Sequence, residues 1–318
     1  MMFVLNLFKT NYSGEMKIFN NFALPNNYKH CALAIGNFDG VHKGHKKVLN
    51  ESKILAKKNN LKFGVMTFEP IPYIYFTKKK NYRINSLNQK IKFLKDQKLD
   101  FLIIKKFDKK FRNLSYRDFL QKIIQKKINT KYIFVSKNFK FGKNRLGNTF
   151  KMKKLEKEFK FSTLVTKPFK LKNKIISSTK IRKLISQGEI KKVEKYLGRK
   201  WEVEGRVLRG FRRGRKIGFP TCNIDLKNYI IPKNGVYAVN VSCEKVFNKR
   251  NGIANIGYRP TFNGKNLLLE VNIFGINKNL YDKKIQIEFK DFIRPEKKFK
   301  NVSELKKQIK LDIKKSKK

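Results

Sequence analysis

The sequence predicts an α/β protein in two parts: a parallel sheet covered by helices on both faces, followed by a small antiparallel barrel of six strands. Its 318 residues are enough for about two domains, each with its own core. In the first half, short apolar runs alternate with amphipathic stretches, which is typical of a parallel sheet. After Arg199 the apolar segments are short, β-rich and separated by turn residues, which favours a barrel.

Hydrophobic periodicity and turn residues place the individual elements. In the first half we expect strands at 17–22, 31–35, 63–68, 101–104, 132–135 and 162–165, and helices at 46–58, 88–97, 116–126 and 150–159. A further helix begins near Ser177 and runs to about Leu197, with an interruption at Gly188. In the second half we expect strands at 203–208, 221–225, 235–241, 252–256, 267–274 and 284–289, and a closing helix at 302–315. The expected domains are residues 16–186 and 187–318.

The charge of the chain is extreme but not focused. A formal net charge of +54 would by itself argue for a nucleic-acid partner. The basic residues are mostly lysines spread through every segment, however, rather than gathered in one patch. We therefore expect no specific nucleic-acid partner, only weak binding of RNA that salt disrupts.

Other classes of protein are excluded by composition. No run of about twenty apolar residues occurs, so a membrane-spanning helix is not expected. Three cysteines without CxxC spacing indicate a reducing cytoplasm and neither a disulfide framework nor a zinc site. Residues 1–15 precede the first convincing strand and lack the features of a leader peptide, so they are expected to be an extension without a role in the fold.

The most informative stretch is GNFDGVHKGH at residues 36–45, between an expected strand and an expected helix. A strand that ends in glycines and opens a helix leaves backbone N–H groups unpaired, and such a place suits phosphate. His42 and His45 add donors on about one helix turn, beside glycines that let phosphates approach. We expect a phosphate-binding site here; a glycine-rich turn with incidental histidines is the less favoured alternative.

Further motifs follow in both halves. They are TFEP at 67–70, FKFGK at 139–143, ISSTKIR at 176–182, GFPTCNI at 218–224, NGVY at 234–237, NIGYRPTF at 255–262 and FIRPE at 292–296. With residues 36–45, this series resembles the bacterial bifunctional riboflavin kinase/FMN adenylyltransferase (FAD synthetase) family over roughly residues 16–305. The resemblance implies that riboflavin is phosphorylated with ATP to FMN, and that FMN is then adenylylated with a second ATP to give FAD and pyrophosphate. It also implies Mg²⁺ as the metal, and leaves the oligomeric state open.

For the first half, the resemblance implies a Rossmann-like nucleotidyltransferase domain. His42 and His45 would hold the triphosphate and stabilise charge on the α-phosphate, with His45 the stronger candidate for contact in the transition state. Arg182 would grip the phosphates of the leaving pyrophosphate. The implied nucleotide contacts in this half are Gly36, Phe38, Asp39, Gly40, Ser177, Ser178, Thr179 and Arg182, with Asp39 fixing the loop or assisting a metal. The implied flavin or adenine contacts are Asn138, Phe139 and Phe141.

For the second half, the resemblance implies the riboflavin kinase barrel, with Glu270 as the base for the 5′-hydroxyl group. Thr221 and Asn223 would bind Mg²⁺ and ATP phosphate, because neutral side-chain oxygens can complete the octahedral ligand shell of Mg²⁺. The remaining implied contacts are Gly218 and Pro220 to the nucleotide and Arg294 to the flavin. The glycine- and arginine-rich loop 205–218 would be a mobile flap over the nucleotide. An RNA-binding basic loop is the alternative.

The chain departs from the family pattern at five positions. Ile71 stands where the family usually has His, and Ser136 and Asn138 stand where it has Gly and Asp. Asn272 replaces a frequent His, and Asp282 replaces Gly. The first three put the strength or metal use of the adenylyltransferase half in question, and the last two put flavin affinity in question.

Two alternative functions stay open on the sequence. One is a riboflavin kinase whose first half has lost its activity, which would accumulate FMN without FAD. The other, of a different class, is a basic nucleic-acid-binding protein, which predicts tight RNA binding that resists salt.

Overall fold

A computed structural model describes residues 16–210, 213–226, 228–261 and 264–317. The expected extension at residues 1–15 lies outside the described residues. The fold class is confirmed, with a parallel sheet in the first part and a closed antiparallel barrel in the second. The chain divides into two compact units: the described residues up to 37 with 48–72 and 94–167, and residues 38–47 with 73–93 and 168–317. The division between residues 186 and 187 stays a prediction.

The first unit is built on a six-stranded sheet in the order β1-β4-β3-β2-β5-β8, and every neighbouring pair is parallel. The strands of this unit are β1 Lys17–Phe19, β2 Ala32–Ile35, β3 Phe63–Glu69, β4 Phe101–Lys106, β5 Tyr132–Ser136, β6 Lys140–Phe141, β7 Gly147–Asn148 and β8 Ser162–Thr166. All four residues of β2 are buried, as expected for a strand with covered faces. The chain leaves β2 toward β3 on one side and returns at β5 on the other. The carboxyl end of β2 therefore lies at the switch point where α/β sheets bind ligands.

The helices, in chain order, include both long and very short segments. They are α1 Lys43–Lys58, α2 Pro72–Thr77, α3 Leu87–Lys95, α4 Lys109–Arg112, α5 Tyr116–Asp118, α6 Thr149–Lys154, α7 Glu156–Phe159, α8 Ser178–Ser186, α9 Ile190–Leu197, α10 Arg213–Lys216 and α11 Val302–Ser316, with a π-helix at Phe119–Ile128. The helix expected at 150–159 is divided into α6 and α7. The helix expected to run to Leu197 is divided into α8 and α9, because Gly188 has a φ of +75° between them.

The second unit contains a closed barrel in the order β11-β12-β15-β14-β13-β16. Its strands are β9 Lys170–Leu171, β10 Lys174–Ile175, β11 Glu202–Leu208, β12 Cys222–Asp225, β13 Gly235–Cys243, β14 Phe247–Thr261, β15 Gly264–Ile273 and β16 Lys284–Arg294, of which β9 and β10 form a separate hairpin. Trp201 stacks on Phe289 at 4.6 Å, and Tyr237 meets the same ring edge-on at 5.2 Å. All three aromatic side chains are fully buried and form part of the barrel core.

Candidate active sites

The loop that carries both motif histidines has an unusual backbone. Within four residues, φ is +47° at Phe38, +88° at Gly40 and +37° at Val41. Positive φ is ordinary for glycine but strained for phenylalanine and above all for a β-branched valine. Such strain persists only where surrounding contacts hold it, and it is concentrated at functional sites.

His42 and His45 form a stacked pair, with ring centroids 3.6 Å apart and an interplanar angle of 17°. Each ring caps the backbone of the other. His45 N–H donates to His42 Nδ1 at 3.3 Å, and His42 N–H donates to His45 Nδ1 at 3.4 Å. The ring of Phe38 packs against His45 at 5.2 Å. Because each Nδ1 accepts a hydrogen bond, the single proton of each neutral ring is on Nε2.

Both imidazoles are neutral at pH 7. Burial, together with the positive charges of Arg199 and Arg182, lowers the pKa of His42 to about 3. Burial also lowers the pKa of His45 well below its ordinary value, with further contributions from His42 and Lys90. The pair therefore presents N–H donors to a ligand rather than fixed charges.

Asp39 is the centre of a buried network beside the histidine pair. Its carboxylate accepts from the backbone N–H of Ile84 at 3.1 and 3.2 Å and from Arg182 Nη2 at 2.5 Å. Arg182 Nε donates to the carbonyl of Tyr82 at 2.9 Å, and the guanidinium lies 3.7 Å from the centre of the Tyr82 ring. The carbonyl of Asp39 accepts from Ser178 Oγ at 2.8 Å. Asp39 thus fixes the loop, and two nitrogens of Arg182 are committed within the protein.

Other predicted nucleotide contacts lie at element ends. Ser177 caps α8, because its Oγ accepts from the backbone N–H of Lys180 at 3.2 Å. Thr179 is exposed in the first turn of the same helix. Gly36 follows β2, and its N–H donates to the carbonyl of Met66 at 3.1 Å.

The positively charged side chain of Arg199 also contacts this loop. The sequence did not indicate this contact; there, Arg199 only marked the point after which the chain becomes β-rich. Its Nη2 donates to the carbonyl of Gly40 at 2.7 Å and to Asn85 Oδ1 at 3.0 Å, and its Nη1 donates to the carbonyl of Val41 at 3.3 Å. The guanidinium lies 3.7 Å from the centre of the Phe93 ring. The residues that it joins are far apart along the chain, so no local pattern could have indicated the contact.

The predicted flavin residues of the first half lie in the first unit. Phe141 is buried in the core, where its ring stacks on Phe139 at 5.5 Å and meets Phe119 at 5.4 Å. Asn138 is exposed just after β5, and Phe139 is half-buried. At the departure from the family pattern, Ile71 is 2% exposed, so an apolar side chain fills that position.

In the barrel, Asn223, Glu270 and Asn255 stand directly opposite one another on β12, β15 and β14. The neighbouring row, Ile224 and Leu269, is fully buried in the barrel core. Because successive side chains on a strand alternate between faces, the polar row is on the outer face. The structure thus brings the expected base to the strand next to an expected metal ligand.

The segment before β12 is shaped around these groups. A Cβ atom added at Gly210 would clash with Asn223 Nδ2, and one added at Gly214 would lie 3.2 Å from Thr221 Oγ1. Asn272 Nδ2 donates to the carbonyl of Pro220 at 2.6 Å, so this departure from the family pattern anchors the segment. Thr221, Pro220 and the preceding Gly218, at a φ of +89°, are exposed. Residues 211 and 212 of the expected flap lie outside the described residues.

Asn223 provides a test of whether a divalent cation fits. Its side chain is 8% exposed, yet its Oδ1 is buried without a hydrogen-bond partner among the described residues. An unpaired buried amide oxygen costs about 1–3 kcal/mol, and a hard cation accepts such an oxygen as a ligand. The described residues contain no group of three His, Cys, Asp or Glu side chains that could hold a metal. A cation at Asn223 would therefore take its other ligands from a hydroxyl group, phosphates and water.

Arg294, expected at the flavin, makes a buried ion pair instead with a residue of α11. Its Nε donates to both carboxylate oxygens of Asp312 at 3.0 Å, and its Nη2 donates to Oδ2 at 2.8 Å. Asp312 is 1% exposed and also accepts from Gln308 Nε2 at 2.9 Å. In this structure Arg294 fastens α11 to the barrel, and a flavin contact stays a prediction.

Comparison with known proteins identifies the family. The FAD synthetase family model matches residues 24–180, and the riboflavin kinase model matches residues 197–318. The bifunctional riboflavin kinase/FMN adenylyltransferase of Buchnera aphidicola subsp. Schizaphis graminum is 40% identical over 287 residues, covering 89% of this chain and 91% of the relative. The protein of the same name from Escherichia coli strain K12 is 36% identical over 285 residues, covering 89% and 90%.

A solved structure agrees over almost the whole chain. The crystal structure of a protein named macrolide-efflux protein, from Streptococcus pneumoniae, has a TM-score of 0.84 at 28% identity, covering 96% of this chain and 99% of that one. Among the described residues of the present chain, none of the helices has the length and apolar character needed to cross a bilayer. With both family models matched in order, and with relatives aligned over about nine-tenths of their length, the chain belongs to the bifunctional riboflavin kinase/FMN adenylyltransferase family.

Proposed function

We propose that the chain phosphorylates riboflavin at the polar row of the barrel and adenylylates the resulting FMN at the histidine loop. Both reactions consume ATP with a divalent metal, which we propose is Mg²⁺. The observation that carries the proposal is the His42–His45 pair, stacked, neutral and mutually capped at the start of α1. A helix N-terminus with extra N–H donors is suited to a polyphosphate.

For adenylyl transfer, the phosphate of FMN attacks the α-phosphorus of ATP, and pyrophosphate leaves in line. The Nε2–H groups of His42 and His45 donate to phosphate oxygens, and these bonds strengthen as charge builds up in the transition state. Because an anion favours the imidazolium form, a bound triphosphate raises the low pKa of His42. Asp39, held by Arg182, keeps the loop in place during the reaction.

In the barrel, Glu270 accepts the proton of the riboflavin 5′-hydroxyl group as its oxygen attacks the γ-phosphorus of ATP, and ADP leaves as the bond from the γ-phosphorus to the bridging oxygen breaks. Thr221 and Oδ1 of Asn223, which accepts no hydrogen bond from the residues that the structure describes, would hold Mg²⁺ together with the ATP phosphates. When bound, the cation supplies charge neutralisation at the phosphates. Glu270 stands directly opposite Asn223, which supports a shared site.

Product analysis tests the two assignments separately. The wild-type chain is incubated with riboflavin, ATP and Mg²⁺, beside His45→Ala and Glu270→Gln, and FMN and FAD are quantified. We expect His45→Ala to lose FAD while still forming FMN, and Glu270→Gln to lose FMN from riboflavin while still converting supplied FMN to FAD. FMN that accumulates in the wild type without FAD would leave only the kinase, and two variants that both keep both products would refute the site assignments.

A cytoplasmic location and the lack of a specific nucleic-acid partner stay predictions from composition. Because the net charge of +54 by itself favours binding of RNA, the lack of a specific nucleic-acid partner can be tested directly. We expect any binding of RNA to disappear at moderate salt, measured by fluorescence anisotropy.

A further inference from the structure

The carbonyl groups that precede His42 need an external partner. Gly40 and Val41 have φ values of +88° and +37°, so the chain is outside the regular helical region until α1 begins at Lys43. The two hydrogen bonds from the backbone N–H groups of His42 and His45 to each other's Nδ1 depend on how the peptide groups of Gly40 and Val41 are oriented. A group that fixes the two carbonyls therefore fixes the imidazoles.

Arg199 is that group. Its guanidinium group donates through Nη2 to the carbonyl of Gly40 at 2.7 Å and through Nη1 to the carbonyl of Val41 at 3.3 Å. A planar guanidinium can hold two neighbouring carbonyls at once, whereas an ammonium group is a single point donor.

Arg199 is itself held rigidly. It follows Gly198, whose φ of +71° ends α9. Its guanidinium stacks on Phe93 at 3.7 Å, and Nη2 also donates to Asn85 Oδ1 at 3.0 Å. Two residues later, Trp201 Nε1 donates to the carbonyl of Ile84 at 2.9 Å.

We propose that Arg199 is a positioning residue for adenylyl transfer, acting through the carbonyls of Gly40 and Val41 to keep the histidine pair in its reactive geometry. The inference rests on the adenylyltransferase function proposed above. Arg199 lies in the stretch matched by the riboflavin kinase model, 197–318, and outside the FAD synthetase match, 24–180. Adenylyl transfer in this chain therefore depends on a residue at the start of the region that matches the riboflavin kinase model.

The test uses the full chain with Arg199→Lys and Arg199→Gln, and Arg117→Lys as the matched control. Arg117 is an exposed arginine whose guanidinium pairs with Glu158 in the first unit. Steady-state rates of FAD formation from FMN and ATP, and of FMN formation from riboflavin and ATP, are measured for each. Imidazole signals are followed by NMR against pH, which is practical because the chain has three histidines.

We expect Arg199→Lys to lower kcat for FAD formation by about tenfold to a hundredfold, as small errors of positioning do. The KM for ATP and the rate of FMN formation should each stay within about threefold of wild type. The pKa of His42 should stay low in Arg199→Lys, which keeps the charge, and rise in Arg199→Gln, which removes it. Arg117→Lys should match wild type in every measurement.

Two results would overturn the proposal. The first is FAD formation at the wild-type rate in Arg199→Lys, and the second is an equal loss of both activities in that variant, which would indicate a general structural role. Should Arg199→Gln not fold, the kcat of Arg199→Lys still decides the matter. A wild-type chain that forms no FAD would refute the proposed function instead, and the titration of His42 would still test the contact with Arg199.

Discussion

Replacing Asp39 by asparagine perturbs the centre of the histidine-loop network while keeping its shape. The carboxylate is 3% exposed and accepts from the Ile84 N–H and from Arg182, whose side chain is 11% exposed. Asparagine keeps an oxygen for Ile84 but removes the negative charge. The positive charge of Arg182 then stays buried without its counter-ion.

The expected loss in the free energy of unfolding depends on the interactions that Arg182 retains in Asp39→Asn. Removing one partner of a buried ion pair costs about 3–5 kcal/mol, because the other charge is left uncompensated. Arg182 retains its hydrogen bond to the Tyr82 carbonyl at 2.9 Å and its position over the Tyr82 ring at 3.7 Å. We therefore expect the lower end of the range, a loss of about 3 kcal/mol in the free energy of unfolding.

Trp201 provides the assay. It is the single tryptophan of the chain, it is fully buried, and its Nε1 donates to Ile84, the residue whose N–H binds Asp39. Its fluorescence in a urea titration therefore follows the unfolding of this network. Because the double variant Asp39→Asn/Arg182→Met buries no unpaired charge, it should recover part of the loss seen in Asp39→Asn.

The reasoning would be refuted by a loss below about 1 kcal/mol, the size of a single neutral hydrogen bond. It would also be refuted if the loss in the double variant equalled the sum of the losses in Asp39→Asn and in the single variant Arg182→Met. Either result would mean that the Asp39–Arg182 pair is not the source of the stability of the loop.

Two further predictions concern pH and the last helix. Because the pKa of His42 is about 3 in the folded chain and 6.5 in the unfolded one, its contribution to stability is fully present above pH 6.5 and is lost as the pH falls toward 3. His42 should account for about 2 kcal/mol of the loss in the free energy of unfolding between pH 8 and pH 5, measured by Trp201 fluorescence as the difference between wild type and His42→Gln. An unchanged pH dependence of stability in His42→Gln would contradict this origin. Asp312→Asn should cost about 3 kcal/mol by leaving Arg294 unpaired. Hydrogen exchange should then show faster opening at Val302–Ser316, and unchanged protection there would exclude the anchoring role of the pair.

Strand positions were predictable because burial leaves a local pattern. The apolar run 31–35 contains β2, and the run 284–289 is the first part of β16. Boundaries were less predictable: β14 runs from Phe247 to Thr261, well beyond the expected 252–256. Ladder pairing with β13 and β15 extends it through residues that carry no strand signal of their own.

The candidate sites divide in the same way. His42 and His45 lie in a short motif whose residue types and spacing were enough to single them out, whereas Thr221 and Asn223 were assigned through family resemblance. Glu270 on its own is an ordinary strand residue; it was assigned through family resemblance, and its place opposite Asn223 follows from strand pairing. This pairing of β12 with β15 depends on the closed barrel, and the sequence of neither strand alone predicts it.

By itself, the sequence determined the α/β class, the order of the elements and the motif residues, because periodicity, turn chemistry and motif spacing are all local. Only the tertiary structure decided which groups support them. Arg199 meets the carbonyl of Gly40 across 159 positions of the chain, and the buried side-chain oxygen of Asn223 has no hydrogen-bond partner within the described part of the chain. Such contacts are set by how distant segments pack, and packing brings together residues whose neighbours in sequence are unrelated.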